Sequence, residues 1–464
     1  MLVTMNLYNL RVGTLSSNSG LEYNKLSTAV QTISGEATSS MTQGVMFHPE
    51  VRESQRSRRH SGTVLCHGNI SPCHVEALDK IGQRFFVHVA DSEMEYRATS
   101  INTVYHSSPR DPKMSTFRLQ DPLLPVGSLI FLTGANGYIA THVVDQLLTF
   151  GYAVRGSVRS KSGSAWMTSL YETRHPKSRL ELVEVPDITK PGCYDALLSG
   201  VSAIIHTAAI DPLSDDPSTF QKSIDANLIV MEAAKKANTA GEKIKRVVIT
   251  SSSWAVTWPE PGVEKDLSVK SFNDVAVKQY HDPNTPKMMM PVVSYVAAKL
   301  ESERECWKWV EKNPDTGFAL NAIMPSTCMG EVLAPKNQEY PSTAGFVRSL
   351  YDGTRPELIA WLQPQWFVSV KDAARLHIAA AVLKGVDGER IFGWAERYTW
   401  PGVYKVLEDE MGETPKGSAE DKGEDKSIPP MERSTELLEL LGRDGWEGFE
   451  KSVRENIRSW HPRN

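Results

Sequence analysis

The sequence has few cysteines and no long hydrophobic run, and these absences exclude several classes of protein. Its five cysteines are scattered over 464 residues, an odd set that does not form the framework of a disulfide-stapled secreted domain. No window reaches the roughly 18 apolar residues of a membrane-spanning helix, and the N-terminus lacks the apolar core of a secretory signal. We therefore expect a cytoplasmic protein without a membrane partner.

The sequence also lacks a large excess of either charge. It has 51 Lys and Arg residues and 56 Asp and Glu residues. The resulting net charge of −5 argues against general affinity for nucleic acid. The spacing of Cys66-His67 and Cys73-His74 fits no common zinc site, so no metal is expected. With 40% apolar residues, the chain is long enough to bury one large core or two smaller ones.

Residues 1–113 lack the hydrophobic periodicity of the remainder. They are rich in Ser, Thr, Asn and Gly and contain a basic run at 52–60. Residues 84–90 have the composition of one strand, but no nearby segment offers it a partner. We expect this region to be disordered or a non-native extension, with synthesis starting at Met114.

A strand, a glycine turn and a helix follow one another within residues 129–140. The apolar residues at the start predict a buried parallel strand, and later apolar residues recur at helical spacing. Gly134 permits a tight turn, Gly137 allows close approach of a phosphate to the backbone, and Ala140 lets the helix pack on its strand. The free N–H groups at the helix N-terminus attract anions. This pattern predicts a site for the pyrophosphate of a dinucleotide.

From Leu129 onward, apolar strands alternate with helices, which indicates an α/β protein with a doubly wound parallel sheet. After the first strand, the predicted strands are 153–159, 182–185, 201–205, 246–253 and 317–324, and the clearest helices after the glycine turn are 222–237, 294–312 and 370–380. We expect 259–290 to be an irregular lid, and Thr414–Pro430 to be a surface loop. Leu437, Leu438, Leu440 and Leu441 are expected to pack the C-terminal segment onto the body.

The end of the second predicted strand favours NADPH over NADH. In NAD-preferring proteins an acidic residue there binds the ribose 2′-hydroxyl. Here Val158 and Arg159 occupy that place, and Lys161 lies just beyond. Two cations without a carboxylate suit a 2′-phosphate, although a solvated basic turn is the simpler alternative.

Tyr295 and Lys299 are one helical turn apart and therefore share a helical face. Reduction of a carbonyl by hydride leaves an oxygen that needs a proton. A phenol is able to supply it where a nearby ammonium lowers the pKa of the phenol towards the working pH. The hydroxyl cluster Ser251–Ser253 follows the fifth strand; we choose Ser252 to hold the substrate oxygen, with Ser251 and Ser253 as alternatives. His206 follows the fourth strand and is interpreted as a buried, hydrogen-bonded residue.

This ordered set resembles the extended short-chain dehydrogenase/reductase family, within the NAD-dependent epimerase/dehydratase superfamily. The nearest branch contains dihydroflavonol reductase, cinnamoyl-CoA reductase and fungal aldehyde and ketone reductases. The resemblance begins near Leu129 and extends to the C-terminus. It implies a Rossmann fold with a smaller C-terminal α/β substrate-binding lobe. Residues 114–330 would form the NADP-binding domain with the catalytic residues, and 331–464 the substrate lobe, with some segments interleaved.

The resemblance also assigns site residues. Ser252, Tyr295 and Lys299 match the catalytic positions. The residues expected to bind the cofactor are Gly134, Asn136, Gly137, Tyr138, Ile139, Arg159, Lys161, Asp187, Ile188, Thr207, Ala208, Ala209, Tyr295, Lys299, Pro325 and Cys328.

The sequence thus predicts NADPH-dependent reduction of an aldehyde or ketone to an alcohol. Trp254, Trp258 and the methionines at 288–290 suggest a small-molecule carbonyl substrate that is apolar or aromatic. A monomer and a homodimer both remain open. One alternative is a sugar-nucleotide epimerase or dehydratase, which shares the fold and usually holds NAD permanently. Another is a catalytically silent NADPH-binding module.

Overall fold

The computed structural model describes the C-terminal three quarters of the chain and a short sheet nearer the N-terminus. The described residues are 121–461 except Ser178, 211–215 and Tyr340, together with the backbone of strands β1 (Leu65–His67), β2 (Arg84–Val89) and β3 (Ser92–Arg97). The chain divides into two compact units, Met1–Ser115 and Thr116–Asn464.

In the first unit, β2 pairs in parallel with β1 and antiparallel with β3. The expectation that residues 84–90 lack a strand partner was therefore wrong, because the partner follows within a few residues. The remaining expectations for residues 1–113, which include disorder, a start at Met114 and the interpretation of Cys73-His74, concern residues outside the described ones.

The second unit contains twelve strands and twelve α-helices among its described residues. The strands are β4 (Leu129–Thr133), β5 (Ala153–Val158), β6 (Leu180–Glu184), β7 (Val201–His206), β8 (Arg246–Thr250), β9 (Glu264–Asp266), β10 (Ala319–Pro325), β11 (Thr327–Met329), β12 (Gln365–Ser369), β13 (Arg390–Gly393), β14 (Glu396–Tyr398) and β15 (Lys426–Ile428). The helices are α1 (Tyr138–Thr149), α2 (Trp166–Arg174), α3 (Ser218–Thr239), α4 (Asp274–His281), α5 (Met290–Lys312), α6 (Pro335–Gln338), α7 (Ala344–Asp352), α8 (Pro356–Trp361), α9 (Val370–Val382), α10 (Trp400–Met411), α11 (Glu432–Leu440) and α12 (Phe449–Trp460). Short 3₁₀ helices span Ser162–Ser164, Asp195–Leu197, Ser253–Ala255 and Lys287–Met289.

Seven of these strands form one parallel sheet in the order β13-β10-β8-β7-β4-β5-β6. Successive residues of β4 face opposite sides: Ile130 and Leu132 pack with α1 and α9, whereas Phe131 packs in the cluster that includes α3 and α5. The strand order reverses between β4 and β7, the place where doubly wound sheets bind ligands. The predicted Rossmann sheet is confirmed, with β13 as an additional strand contributed by the C-terminal part of the chain.

A smaller lobe accompanies this sheet, as expected. Strand β12 pairs in parallel with β11 and antiparallel with β14, and α7, α8, α10 and α12 pack around the same apolar cluster. The four leucines of the C-terminal segment do not all dock. Leu437, Leu438 and Leu441 are buried, whereas Leu440 is 51% exposed on the opposite side of α11.

The predicted lid is more regular than the sequence suggested. Residues 259–290 contain β9 and α4, and β9 pairs with β15 from the predicted loop Thr414–Pro430. Helix α5 begins at Met290 and not at Ser294. Pro291 is compatible with this start, since it lies in the first turn, where its missing N–H costs nothing. Among the described residues, no helix has the length and apolar character needed to cross a membrane.

Candidate active site

The loops after β4 and β7 lie side by side at the reversal point of the sheet. Gly134 has a φ of +65°, and a Cβ on it would lie 2.9 Å from the Cα of Ala208. The Thr207 hydroxyl donates to the carbonyl oxygen of Thr133 at 2.5 Å, and the Ala208 amide donates to the Thr133 hydroxyl at 3.1 Å. The two predicted cofactor segments, Gly134 and 207–209, are thus held together by this close contact.

The start of α1 offers a cradle for an anion. Gly137 caps this helix without a side-chain hydrogen bond, so the first helical N–H groups have no intrahelical acceptor. Gly156 in β5 completes the cradle, because a Cβ there would come within 2.7 Å of the Ala135 Cβ. Gly156 was not among the cofactor residues predicted from the sequence, although a glycine inside a strand often marks a close approach of backbone. A pyrophosphate fits such a cradle.

The three residues that flank the glycine turn have different surroundings. Asn136 is exposed, and its amide donates to the Ser164 hydroxyl at 3.2 Å. Ile139 is partly buried against the core. The Tyr138 hydroxyl is buried and donates to the Gly330 carbonyl at 2.9 Å, and burial raises the pKa of Tyr138 well above its usual value. The Tyr138 side chain therefore packs in the protein interior, which leaves its backbone amide to face an anion.

Beyond β5, Arg159 and Lys161 are both exposed. The Lys161 backbone amide donates to the Glu184 carboxylate at 2.8 Å, which fixes the turn that carries the two cations. After β6, Asp187 accepts hydrogen bonds from the Thr189 hydroxyl and amide at 2.6 and 2.8 Å, and these bonds lower the pKa of Asp187. The carboxylate is therefore ionised and oriented beside the partly buried Ile188.

The three consecutive serines point to different partners. The Ser251 hydroxyl donates to the Glu303 carboxylate at 2.6 Å. The Ser252 hydroxyl accepts from the Trp254 amide at 3.2 Å, and its interaction with the Tyr295 phenol lowers the pKa of that phenol. Ser253 is buried at the start of a 3₁₀ helix. Of the three, Ser252 is the serine that contacts Tyr295.

Tyr295 and Lys299 line one pocket together with Ala208 and Ala209. The Lys299 ammonium donates to the Thr250 carbonyl at 2.9 Å. Burial lowers the pKa of Lys299 to about 8, opposed by the charge of Glu303. The helix that carries the Tyr–Lys pair therefore meets the loop after β7 at the predicted cofactor site.

The pKa of Tyr295 differs from the sequence-based expectation. A lowered value was expected beside the ammonium, but burial raises the pKa of Tyr295, and the hydrogen bond with Ser252 only partly opposes this. The physical reason is that the phenolate loses hydration in the pocket, while the ammonium of Lys299 is engaged by the Thr250 carbonyl. The phenol is consequently protonated at neutral pH.

Two buried histidines lie behind the site. His206 Nδ1 forms a 2.9 Å hydrogen bond with the Thr133 hydroxyl, and burial, with a further effect of Lys299, lowers its pKa to about 3. His377 Nε2 forms a 2.9 Å hydrogen bond with the Thr250 hydroxyl, and burial lowers its pKa to about 4. Both are neutral at pH 7, which agrees with the interpretation of His206 as a buried, hydrogen-bonded residue.

Three tryptophans form an apolar surface beside Tyr295, which we call the tryptophan wall: Trp254, Trp258 and Trp361. The ring centroids are 5.8 Å apart for Trp254 and Trp258, 5.9 Å for Trp254 and Trp361, and 6.5 Å for Trp258 and Trp361. The Trp254 ring also meets the Tyr295 ring edge to face at 6.3 Å. The sequence predicted an apolar surface at Trp254 and Trp258. It did not predict Trp361, which α8 brings to them from far along the chain.

The loop after β10 also reaches the site. Pro325 is the last residue of β10, and Cys328 lies in β11 with its carbonyl bonded by the Thr343 hydroxyl at 2.5 Å. Burial raises the pKa of the Cys328 thiol to about 12, so the thiol is neutral. Cys328 packs in the same buried cluster as Tyr138, at the start of α1. The described residues contain no cluster of three or more side chains suited to a metal ion.

Comparison with known proteins identifies the relatives of this chain. A family model described as the NAD dependent epimerase/dehydratase family matches residues 130–391. Aldehyde reductase 2 of Sporidiobolus salmonicolor is 32% identical over 350 residues, which cover 74% of this chain and 98% of that protein. Ketoreductase adrE of Penicillium rubens is 35% identical over 343 residues, which cover 73% and 98%.

Among solved structures, the yeast methylglyoxal/isovaleraldehyde reductase Gre2 complexed with NADPH has the same fold. It aligns with a TM-score of 0.59 at 22% identity and covers 71% of this chain and 97% of its own. Vestitone reductase from alfalfa aligns with a TM-score of 0.54 at 19% identity and covers 72% and 98%.

Proposed function

The chain belongs to the NAD dependent epimerase/dehydratase family, and from that premise we propose that it is an NADPH-dependent reductase of aldehydes or ketones. One observation carries the proposal: Tyr295 and Lys299 line one pocket together with Ala208 and Ala209 of the loop after β7. The relatives named aldehyde reductase and ketoreductase support the same reaction.

In the proposed reaction, NADPH held by the glycine cradle at α1 would supply the hydride for the carbonyl carbon. Tyr295 donates its phenolic proton to the carbonyl oxygen, and Ser252 holds that oxygen by a hydrogen bond. The raised pKa of Tyr295 suits this direction, because the phenol carries its proton at neutral pH. Lys299, with a pKa lowered to about 8, remains largely an ammonium at pH 7 and stabilises the phenolate that forms.

The proposal assigns the cofactor to the cradle at α1. Gly134, Gly137 and Gly156 leave space for the pyrophosphate against the helix N-terminus, and the exposed Arg159 at the end of β5 would pair with the 2′-phosphate. Asp187 and Ile188 would contact the adenine, and 207–209 the ribose. Residues 114–330 then form the cofactor domain and 331–464 the substrate lobe, with β13 as an interleaved segment.

The tryptophan wall supports an apolar or aromatic substrate. The indole N–H groups of Trp254 and Trp258 already donate to Gln365 and Gln279, at 2.9 and 3.1 Å, so the rings are left for apolar contacts. The proposal includes a cytoplasmic location, with which the free thiols of Cys193, Cys306 and Cys328 agree. A monomer or a homodimer is compatible with it.

The experiment follows the loss of NADPH absorbance with the full-length protein and a panel of aromatic aldehydes, α-keto esters and diketones. NADH is run beside NADPH, and the alcohol product is identified by mass spectrometry. We expect turnover that prefers NADPH. NAD retained through purification, together with conversion of sugar nucleotides, would replace the proposal with an epimerase or dehydratase. NADPH binding without turnover of any carbonyl would favour a silent module.

A further inference from the structure

Glu303 is a buried carboxylate directly behind the catalytic residues. It is 1% exposed, yet both of its carboxylate oxygens accept hydrogen bonds. Its two oxygens accept hydrogen bonds from the Ser251 hydroxyl at 2.6 Å, from Arg390 Nε at 2.5 Å and from Trp307 Nε1 at 3.1 Å. A buried carboxylate is costly unless it is paired and hydrogen-bonded, and this one is both.

Arg390 holds the carboxylate in place. It is the first residue of β13 and its side chain is only 7% exposed. Its guanidinium donates to the carbonyl oxygens of Val269 and Ser271 at 2.8 Å each and lies 4.0 Å from the centre of the Phe272 ring. With all these groups fixed, Arg390 has little freedom to move, and neither has its partner Glu303.

Glu303 lies next to both arms of the proposed catalytic machinery. It follows Lys299 by one turn of α5, so the two side chains share a helical face. Through Ser251 it also holds the segment that leads to Ser252. Lys299 itself bonds to the Thr250 carbonyl in that same segment, which closes a ring of contacts between the end of β8 and α5.

We propose that Glu303 is a positioning residue, which keeps Lys299 charged and fixes the serine segment from behind the active site. The inference rests on the proposed reductase function. The ionisable side chains that face Lys299 are Glu303 and Tyr295 from its own helix, His206 from β7 and His377 from α9. The two histidines and the phenol are neutral at pH 7, so Glu303 supplies the negative charge that favours the ammonium.

The test compares Glu303→Gln with wild type in the cofactor-free, full-length protein. Competitive acetylation of Lys299, read by peptide mass spectrometry across pH, reports its titration without any turnover. We expect the midpoint to move to lower pH by about one unit, the size expected for loss of one nearby, partly neutralised charge. The alkaline limb of kcat/KM should move by the same amount.

Three further variants separate position from folding. Glu305→Gln removes a partly exposed carboxylate of the same helix, which pairs with Lys308, and should leave both midpoints unchanged. Ser251→Ala should lower kcat several-fold without moving either midpoint, because it loosens the segment but keeps the charge. The double variant Glu303→Gln/Arg390→Gln leaves no unpaired buried charge, so it should unfold at a temperature closer to wild type than the single variant does, while keeping the shifted midpoint.

An unchanged Lys299 midpoint in both Glu303 variants would overturn the inference, even where kcat falls. A wild-type protein that reduces no carbonyl would instead overturn the proposed function, and the acetylation midpoint would then report on Glu303 alone.

Discussion

At the scale of single residues, Tyr295 carries the proposed chemistry. General acid catalysis by a positioned group contributes about 10²- to 10⁴-fold to a rate. We expect Tyr295→Phe to lower kcat by at least about 10²-fold while NADPH binding, followed by fluorescence titration, stays within a factor of about three. Full turnover by this variant would show that another group supplies the proton.

Arg159 decides the choice of cofactor in the proposed scheme. It is exposed at the end of β5 and lies on the turn that Glu184 fixes. We expect Arg159→Glu to reduce the ratio of kcat/KM for NADPH to that for NADH by about 10- to 100-fold, the effect of losing a charge-assisted contact of about 1.5–3 kcal/mol. The matched variant Lys161→Glu should change the ratio less. An unaltered ratio in Arg159→Glu would assign the 2′-phosphate to another residue.

At the residue scale, local sequence patterns predicted some of the spatial arrangements and did not predict others. Ser252, Tyr295 and Lys299 do lie together, since each follows from a local pattern on a strand end or a helix. Tyr138 shows the limit of such reasoning. Its place in the glycine turn predicts a cofactor contact, and only the structure shows that the side chain packs inward to the Gly330 carbonyl, 192 positions along the chain, which leaves the backbone amide for that contact.

At the scale of elements, α8 connects the substrate lobe with the catalytic helix. It ends in Trp361, whose ring touches Trp254 and Trp258, and Trp254 in turn touches Tyr295. Loss of an aromatic contact of this kind removes about 0.5–1.5 kcal/mol beyond the buried area. Under the proposed function, this arrangement would make Trp361 a determinant of substrate size without contact to the proton donor.

We expect Trp361→Leu to raise KM for an aryl ketone by about 5- to 20-fold and to leave kcat within about threefold, because the ring stacks on the substrate and not on the reacting atoms. A short aliphatic aldehyde, measured in parallel, should show little change in either constant. Equal losses for both substrates would mean that Trp361 maintains the fold of the site and does not select the substrate.

Helix α5 shows why the element boundaries were harder to predict than the elements. The prolines, charges and methionines before Ser294 resemble a loop, yet the helix begins at Met290 with Pro291 in its first turn. Tertiary packing decided this, because Val293 and Ser294 are buried. The longer helix places Tyr295 a full turn inside the element, so helical turns flank its backbone on both sides.

At the scale of the whole molecule, three buried histidines link stability to pH. Burial lowers the pKa of His142 to about 4, of His206 to about 3 and of His377 to about 4. In the unfolded chain, histidine has a pKa near 6.5. Below pH 6.5 the unfolded state therefore binds more protons than the folded state does. The free energy of unfolding consequently decreases as the pH falls from about 6.5 towards 4.

We expect the free energy of unfolding, measured by urea titration, to be flat near pH 7.5 and to decline below pH 6.5. The slope should approach the loss of three protons, about 4 kcal/mol per pH unit. His142→Gln, which keeps a donor for the Glu331 carbonyl, should reduce the slope by about one proton. Equal stability at pH 7.5 and pH 5 would contradict burial of these histidines in their neutral form.

The sequence by itself determined the parts of this protein that depend on neighbours along the chain. The strand, glycine turn and helix at 129–140 follow from local geometry, and so does the shared face of Tyr295 and Lys299. These patterns were sufficient to predict the Rossmann sheet, the nicotinamide cofactor and the class of reaction, because each pattern involves residues that are close together in the sequence.

Tertiary structure alone decided which distant groups meet these local patterns. It brought β13 into the sheet, Trp361 to the tryptophan wall, and Arg390 to the carboxylate of Glu303 beside Ser251. It also set the raised pKa of Tyr295, since burial depends on everything packed around the phenol. Such contacts join residues far apart along the chain, and no periodicity or spacing in the sequence specifies which of them will come together.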